Sequence, residues 1–217
     1  MFGTQDLALF TLTVFVLNAT PGVDMAFTLL STLRGGIRAG LAASAGICAG
    51  CVVHTLAAAF GLAALMAASS AAFNTVKWAG AAYLLWLAIG LLRQALRAGV
   101  TAVAGETPDA SVGTAAQLFR QGFLTNVLNP KVALFFLAFV PQFIAPGVDN
   151  KPLAFLMLGL LFNFNGLWVN VGWALTAAWM GRRLGSVRAA MHWLECGAGL
   201  IFIGFGIRLA LADNPPR

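Results

Sequence analysis

Two ionisable side chains lie deep inside apolar stretches of the chain. Asp24 follows the run Asn18-Ala19-Thr20-Pro21-Gly22-Val23, and Lys131 follows Asn126-Val127-Leu128-Asn129-Pro130. A charge at the centre of a bilayer costs at least about 2.5–3.5 kcal/mol on insertion scales, so such residues are rare and are functional by default. One interpretation is a buried ion pair that only fixes helix packing. The functional interpretation is that Asp24 meets a substrate ammonium or a proton, and that Lys131 meets a carboxylate.

Each of these charges stands beside a proline that interrupts an apolar helix. Pro21 and Pro130 lack an N–H and clash with the preceding turn, so each ends one helical segment. Proline also fits the first position of a new helix, so a half-helix N-terminus is expected to open at each break. Helix N-termini carry partial positive charge, and the two together are expected to favour an anion such as a carboxylate.

A later apolar stretch contains Asn163 and Asn170, which lie two helical turns apart and therefore on one face of a helix. These amides are typical both of interhelical packing and of a substrate path, and the sequence does not choose between the two. The candidate substrate-binding and coupling residues are Asn18, Pro21, Gly22, Asp24, Asn126, Asn129, Pro130, Lys131, Asn163 and Asn170.

A rival chemistry is offered by two thiols and an imidazole in the second apolar stretch. Cys48, Cys51 and His54 follow one another at i, i+3 spacing, which could bind a soft metal or exchange thiols, and this would make the protein a metal or redox transporter. Redox Cys-x-x-Cys motifs normally stand at a helix start, whereas these positions are mid-helix. Packing of small residues beside Gly46 and Gly50 is the favoured interpretation, within one chain or in a homo-oligomer.

The elements that must position these residues are membrane-spanning helices. Of the 217 residues, 60% are hydrophobic and 9% are charged, against about 25% charged in soluble domains. Apolar runs of spanning length occupy residues 7–30, 41–68, 73–92, 123–143, 153–180 and 193–212. The net charge of +6 comes from basic residues scattered in short loops, which indicates membrane topology rather than nucleic-acid binding.

The predicted fold is an all-α integral membrane protein with six transmembrane helices. Two three-helix halves, residues 1–92 and 123–217, flank a cytoplasmic linker, residues 93–122. An odd number of spans per half inverts the second half, which gives a 3+3 inverted repeat with interrupted first and fourth helices, as in many secondary transporters.

Charge in the loops predicts the orientation. The first, third and fifth loops hold most of the basic residues, so they are expected to face the cytoplasm and both termini the outside. Arg208 and Arg217 near the C-terminus oppose this assignment. The loop residues that support it are Arg34, Arg38, Arg93, Arg97, Arg120, Arg182, Arg183 and Arg188.

No hydrolase, phosphate-loop or zinc-protease motif occurs in the sequence, so no enzymatic activity and no cofactor are expected. A passive channel usually carries rings of like charge or a filter loop, and one Asp with one Lys fits alternating access better. In that mechanism substrate enters from the cytoplasm between the interrupted helices, and proton exchange at Asp24 helps to reset the carrier.

The sequence resembles the LysE/RhtB family of amino-acid exporters over nearly its whole length. The matching motifs are Thr20-Pro21-Gly22-Val23-Asp24, Arg34-Gly35-Gly36, Ala39-Gly40, Gly46, Gly50, Lys77-Trp78-Ala79-Gly80-Ala81-Ala82-Tyr83-Leu84, Gly122-Phe123-Leu124-Thr125-Asn126, Asn129-Pro130-Lys131 and Phe139-Val140-Pro141-Gln142-Phe143. The resemblance implies an exporter in the bacterial inner membrane, linked to the proton-motive force, with both proline motifs at its working centre. Val23 departs from the family, which often has a second proline there.

The resemblance also bears on the substrate. Family members that export lysine or arginine often place an acidic residue shortly after the fourth-span proline, whereas this chain has Ala133-Leu134-Phe135-Phe136. A neutral amino acid of the homoserine or threonine kind is therefore expected.

Overall fold

The computed structural model describes residues 3–68 and 113–180, together with single helical positions at 75, 78, 82, 85, 86 and 89. This part of the chain is helical, apart from short connections and one isolated β-bridge between Thr4 and Ile144. The predicted sixth span, most of the third and linker residues 93–112 lie outside the described residues. The six-span count and the inverted repeat stay predictions.

The first apolar stretch is broken at its proline, as predicted. Helix α1 covers Leu7–Ala19, and helix α2 begins at Val23 and runs to Leu56. Thr20 is extended (φ −66°, ψ 134°), the conformation that a following proline favours. Pro21 precedes the extended N-cap Gly22, so it lies in the connection and not at the first position of α2, where it was expected.

Helix α2 folds back on itself at Gly36. In a straight helix Thr32 and Gly40 would lie about 12 Å apart along the axis. Instead the Thr32 side chain contacts the site where a Cβ of Gly40 would stand. Gly36 has φ 73° and ψ −175°, a region essentially restricted to glycine. The two arms of α2, residues 23–35 and 37–56, therefore form a tight hairpin, with one glycine where a loop was expected.

The second arm of α2 continues without interruption beyond Leu56. A π-helical segment, Ala57–Leu62, leads into α3, Ala63–Ala68. The helix thus reaches residue 68, where the sequence predicted the second span to end. π-Helical turns inside α-helices are rare and are frequent at functional sites.

The fourth predicted span is also broken at its proline. Helix α4, Ala115–Val127, and helix α5, Pro130–Ala138, are followed by a 3-10 turn, Val140–Phe143, and the axis bends by 46° at the break. Asn129 caps α5, and Pro130 occupies its first turn as predicted. Helix α4 starts before the predicted residue 123, because Thr114 and Gln117 form a capping box at its N-terminus. Arg120 is consequently helical, although it was expected in the linker.

Glycines let the second arm of α2 pack closely on α4. The Cβ positions of Gly46 and Gly50 face the backbone carbonyls of Phe119 and Phe123, and that of Gly122 faces the carbonyl of Ala43. Backbones can approach this closely only where side chains are absent. The Gly46 and Gly50 pair therefore serves a contact within this chain.

Helix α6, Lys151–Met180, packs along both arms of α2 and follows the predicted fifth span closely. Thr28 of the first arm bonds Asn170 of α6, and Gly159 of α6 meets Thr55 of the second arm. The opposite face of α6 is apolar and open, with Phe164, Trp168 and Trp179 at least 60% exposed. Such a surface is typical of contact with lipid.

An aromatic core lies beside the two breaks. Phe135 packs on Phe139 at 4.7 Å and on Phe162 at 5.4 Å between ring centroids, and Phe143 packs on Phe10 at 5.1 Å. These rings join α1, α5, the 3-10 turn and α6. In the described part of the chain, two helical stretches are long and apolar enough to cross a membrane: residues 23–65, which include the turn at Gly36, and α6. The bent pair α4 and α5 is a third candidate.

Candidate functional site

The two helix breaks lie against each other. The ammonium of Lys131, just after the second break, donates to the carbonyls of Leu17 at 3.0 Å and Thr20 at 3.2 Å, which end α1 at the first break. Gly22 is in the same place, with the position of a Cβ only 3.2 Å from the Lys131 Nζ. Cations near a helix C-terminus are favourable, because the last carbonyls carry partial negative charge. Lys131 therefore ties α5 to the C-terminus of α1.

Asp24 is held by the second break. Its Oδ2 accepts hydrogen bonds from Asn126 Nδ2 at 2.8 Å and from Asn129 Nδ2 at 3.0 Å. Asn129 also uses its Oδ1 to accept from the backbone N–H of Lys131 at 3.0 Å, which caps α5. One amide thus starts α5 and holds the carboxylate, and both asparagines fix Asp24 in place.

The paired helix N-termini already have an anion. Asp24 lies in the first turn of α2, and the N-cap residue of α5, Asn129, donates to the same carboxylate. A carboxylate was expected at this position, and the group found there belongs to the protein itself. Asp24 and Lys131 each bond to other groups, so they act as separate polar centres of one site.

Three polar atoms of the site have no hydrogen-bond partner among the described residues. They are the Oδ1 of Asp24, the Nδ2 of Asn18 and the Oδ1 of Asn126. Buried polar atoms without partners are costly, typically by about 1–3 kcal/mol each. Two of the three accept and one donates, which is the pattern needed to bind an ammonium and a carboxylate oxygen together.

These atoms belong to residues that line a cavity between α1, α2, α4, α5 and α6. Its free space is about 20 Å³, which holds about one water molecule. Asp24 and Lys131 are the charged residues of this lining as far as the chain is described. The lining consists of Asn18, Thr20, Asp24, Met25, Ile47, Cys48, Cys51, Asn126, Lys131, Val132, Phe162, Asn163, Gly166 and Asn170.

The two asparagines of α6 reach this cavity and also hold helices together. Asn163 Nδ2 donates to the Cys48 carbonyl at 3.0 Å, and Asn170 Oδ1 accepts from the Thr28 hydroxyl at 3.3 Å. Asn170 Nδ2 bonds its own helix, at the Gly166 carbonyl. Each therefore has a packing role in this conformation as well as a place in the lining.

The thiols and the imidazole are not arranged as a metal site. Cys48 lines the cavity, Cys51 is buried in the core, and His54 Nε2 bonds the backbone carbonyl of Asn126 at 3.0 Å. Within residues 3–68 and 113–180, no cluster of three or more His, Cys, Asp or Glu side chains is placed to hold a metal ion. The soft-metal and redox alternative therefore has no support from the geometry.

Several contributors to the site escaped the sequence pattern. The carbonyls of Leu17 and Thr20 bind Lys131, and Thr28 orients Asn170. Gly166 leaves space for Asn18, whose amide lies 3.4 Å from the position of a Cβ. A signal for Leu17 does exist, because a proline removes the hydrogen bond of the carbonyl four residues earlier.

Known proteins resemble this chain along nearly its whole length. An uncharacterized membrane protein of Pseudomonas aeruginosa is 33% identical over 97% of both chains. The homoserine/homoserine lactone efflux protein of Salmonella typhimurium is 32% identical over 94% of this chain and 96% of its own. The leucine efflux protein of Enterobacter sp. (strain 638) is 27% identical over 96% and 97%. No solved structure matches the chain.

The match to a family model and the similarity to individual relatives both identify the family of this chain. The sequence model of the LysE type translocator matches residues 15–213, a range that contains both proline breaks, Asp24 and Lys131. Relatives above 30% identity cover more than nine-tenths of the chain and include a protein named for amino-acid efflux. The chain is a membrane protein of the LysE type translocator family.

Proposed function

We propose that this translocator is a secondary active exporter of neutral amino acids. The observation that carries the proposal is that Asp24 Oδ1 and Asn18 Nδ2, both without a hydrogen-bond partner among the described residues, belong to two residues lining one cavity. A substrate ammonium fits the carboxylate, and a substrate carboxylate fits the Asn18 amide and the third N–H of Lys131, whose other two go to carbonyls. The efflux names of two relatives support the direction and the substrate class.

Net charge favours a zwitterion. The described lining offers one acid and one base, which suffice for the two charged groups of a neutral amino acid. A lysine or arginine would bring a second positive charge with no acid to pair with it, and an unpaired buried charge is costly. The homoserine and threonine type, whose hydroxyl suits the asparagine-rich wall, is the proposed substrate class.

Transport by this site requires a conformational change. The free space of about 20 Å³ is far below the roughly 300 Å³ of common ligand sites, so the cavity must widen to admit an amino acid. The two breaks are the places where the helices can bend, since they have lost backbone hydrogen bonds. Alternating opening toward the cytoplasm and toward the outside carries the substrate across.

The same carboxylate provides a route to proton coupling. Asp24 can hold either a substrate ammonium or a proton, and each excludes the other from its free oxygen. Release of the substrate outside lets a proton take its place, and the neutral side chain returns inward without substrate. One zwitterion then leaves for each proton that enters, driven by the proton-motive force.

The proposed location is the bacterial inner membrane, with both termini outside the cytoplasm. The basic residues of the first and third loops support this orientation. A reporter enzyme that is active only in the cytoplasm, fused to the C-terminus, reads the orientation directly: activity would reverse the assignment.

Substrate identity is tested in inside-out vesicles, into which an exporter moves substrate from the medium. With an acidic lumen, labelled threonine and homoserine are expected to accumulate above labelled lysine and arginine. Burying the unpaired second charge of lysine or arginine costs at least about 2.5 kcal/mol. This free energy corresponds to more than tenfold discrimination in favour of the neutral amino acids. Preferential uptake of lysine or arginine would contradict the proposed pocket.

A further inference from the structure

Each proline deprives one specific carbonyl of its partner. In an α-helix the N–H of a residue bonds the carbonyl four positions earlier. Pro21 therefore leaves the carbonyl of Leu17 without its helical partner, and Pro130 does the same to Asn126. The two orphaned carbonyls stand at corresponding places in the two broken helices.

Both orphaned carbonyls accept a hydrogen bond from an ionisable side chain of another helix. Lys131 Nζ donates to Leu17 at 3.0 Å, and His54 Nε2 lies 3.0 Å from the carbonyl of Asn126. A carbonyl oxygen only accepts, so the Nε2 of His54 must carry the hydrogen. The Asn126 carbonyl also accepts from the N–H of Asn129 at 2.9 Å, which closes the end of α4 more tightly.

We propose that His54 is a positioning residue that locks the second helix break, as Lys131 locks the first. Asn126 links His54 to the site: its carbonyl bonds the imidazole, and its side chain donates to Asp24 at 2.8 Å. His54 holds Asn126 in the place from which that amide fixes the carboxylate. Opening of the cavity requires the imidazole to release the carbonyl, a step that rests on the proposed function.

The surroundings of His54 suit a part that moves. It lines an apolar groove together with Phe136 and Leu137 of α5 and Gly61 of the π-helical segment. That segment begins within one turn of His54, at Ala57. π-Helical turns inside α-helices occur frequently at functional sites. The hydrogen bond from His54 therefore connects α2, next to its π-helical segment, to the break between α4 and α5.

Packing of the ring is the competing explanation. The imidazole stacks on Phe136 with centroids 6.0 Å apart and planes at 27°. Two substitutions separate the explanations. His54→Phe keeps a ring beside Phe136 and removes the donor, whereas His54→Gln keeps an N–H donor and removes the ring. His54→Leu serves as a second variant without a donor.

The first measurement uses a thiol in the cavity as its reporter, and this labelling measurement needs no substrate. Replacing Cys51 and Cys196 by alanine leaves Cys48, which lines the cavity, as the one thiol of the chain. The rate at which N-ethylmaleimide labels Cys48 in membrane vesicles then measures how often the cavity opens. The full chain is used, and threonine and homoserine uptake is measured in the same vesicles.

Loss of the donor is expected to raise the labelling rate in His54→Phe and His54→Leu by about threefold or more, the factor that an average interhelical hydrogen bond in a membrane contributes. The same two variants are expected to raise the KM for uptake, and His54→Gln to restore both values. Equal labelling in all proteins, or an increase shared by His54→Gln, would overturn the proposal. Absence of uptake by the wild type would instead refute the exporter function and leave the labelling result standing.

Discussion

At the scale of single residues, the two oxygens of the Asp24 carboxylate have different tasks. Oδ2 is fixed by the amides of Asn126 and Asn129, and Oδ1 has no partner in the described chain. The first arrangement sets the direction of the carboxylate, and the second leaves it an acceptor for a cation or a proton. A group that is held on one side and free on the other can bind and release without being displaced.

The thiols contribute bulk and not chemistry in this account. Replacing both Cys48 and Cys51 by alanine is expected to leave export of a neutral amino acid within about twofold of the wild type, since truncating small side chains changes packing by at most a few kcal/mol. The bond from Asn163 goes to the backbone carbonyl of Cys48 and survives the change. Uptake in inside-out vesicles measures the effect.

Matched controls make the cysteine result informative. The amount of inserted protein must equal that of the wild type, and each single variant should behave like the double variant. Loss of uptake in a correctly inserted double variant, or one equivalent of metal bound to the purified wild type, would favour thiol chemistry instead.

The residues of the site were predictable by type but not by partner. An isolated Asp and an isolated Lys beside two prolines suffice to nominate Asp24 and Lys131. Their partners lie more than a hundred positions away along the chain, as with Asn126 for Asp24 and Leu17 for Lys131. Spacing carries no information about such contacts, so the sequence pattern offered Lys131 two partners, Asp24 or a substrate carboxylate, and indicated neither of the backbone carbonyls that it bonds.

At the scale of helices, the interruptions arise from proline and the turn of α2 from glycine. Both breaks were predictable, since a missing N–H ends a helix wherever it falls. The start of α4 at Ala115 was missed because apolar periodicity fades there, although the Thr114 and Gln117 pair is a recognisable capping box. The hairpin at Gly36 replaces a loop because glycine adopts φ 73° without strain.

Close packing of the second arm of α2 on α4 gives a prediction about stability. Gly46→Ala would press a Cβ onto the backbone carbonyl of Phe119, which cannot rotate away. Overpacking of this kind typically costs about 1–3 kcal/mol. Thermal unfolding of the purified protein in detergent is therefore expected to shift to lower temperature.

Gly172→Ala is the control for that measurement. Gly172 also lies inside a helix, α6, but a Cβ there meets no described atom within 4 Å. Alanine favours helix over glycine, so this variant should be as stable as the wild type or slightly more stable. Equal stability of Gly46→Ala and the wild type would show that the two helices can separate without cost.

At the scale of the whole molecule, the polar groups converge on one place in an otherwise apolar body. Five helices contribute to the cavity, and the aromatic core supports the breaks from one side. The charged lining is balanced, with Asp24 and Lys131 each stabilised by groups of the other break. Movement at either break must therefore change the surroundings of both charges, which is what a carrier needs in order to link substrate binding to opening.

The central claim is that Asp24 couples amino-acid export to proton entry. In Asp24→Asn an amide NH₂ replaces one of the two carboxylate oxygens. The NH₂ group repels an ammonium, and the amide cannot bind and release a proton as a carboxylate does. Accumulation of threonine or homoserine driven by an acidic lumen is expected to fall at least tenfold, about 1.4 kcal/mol of lost interaction. Asp149→Asn makes the same substitution at an exposed loop position and should leave uptake unchanged.

The measurement that decides the claim is uptake by inside-out vesicles as a function of lumen pH, for the wild type, Asp24→Asn and Asp149→Asn at equal membrane abundance and equal thermal stability. Uptake by the wild type and by Asp149→Asn is predicted to rise as the lumen is acidified, and uptake by Asp24→Asn to stay at the level of vesicles without the protein. Wild-type rates with an unchanged pH dependence in Asp24→Asn would contradict the account.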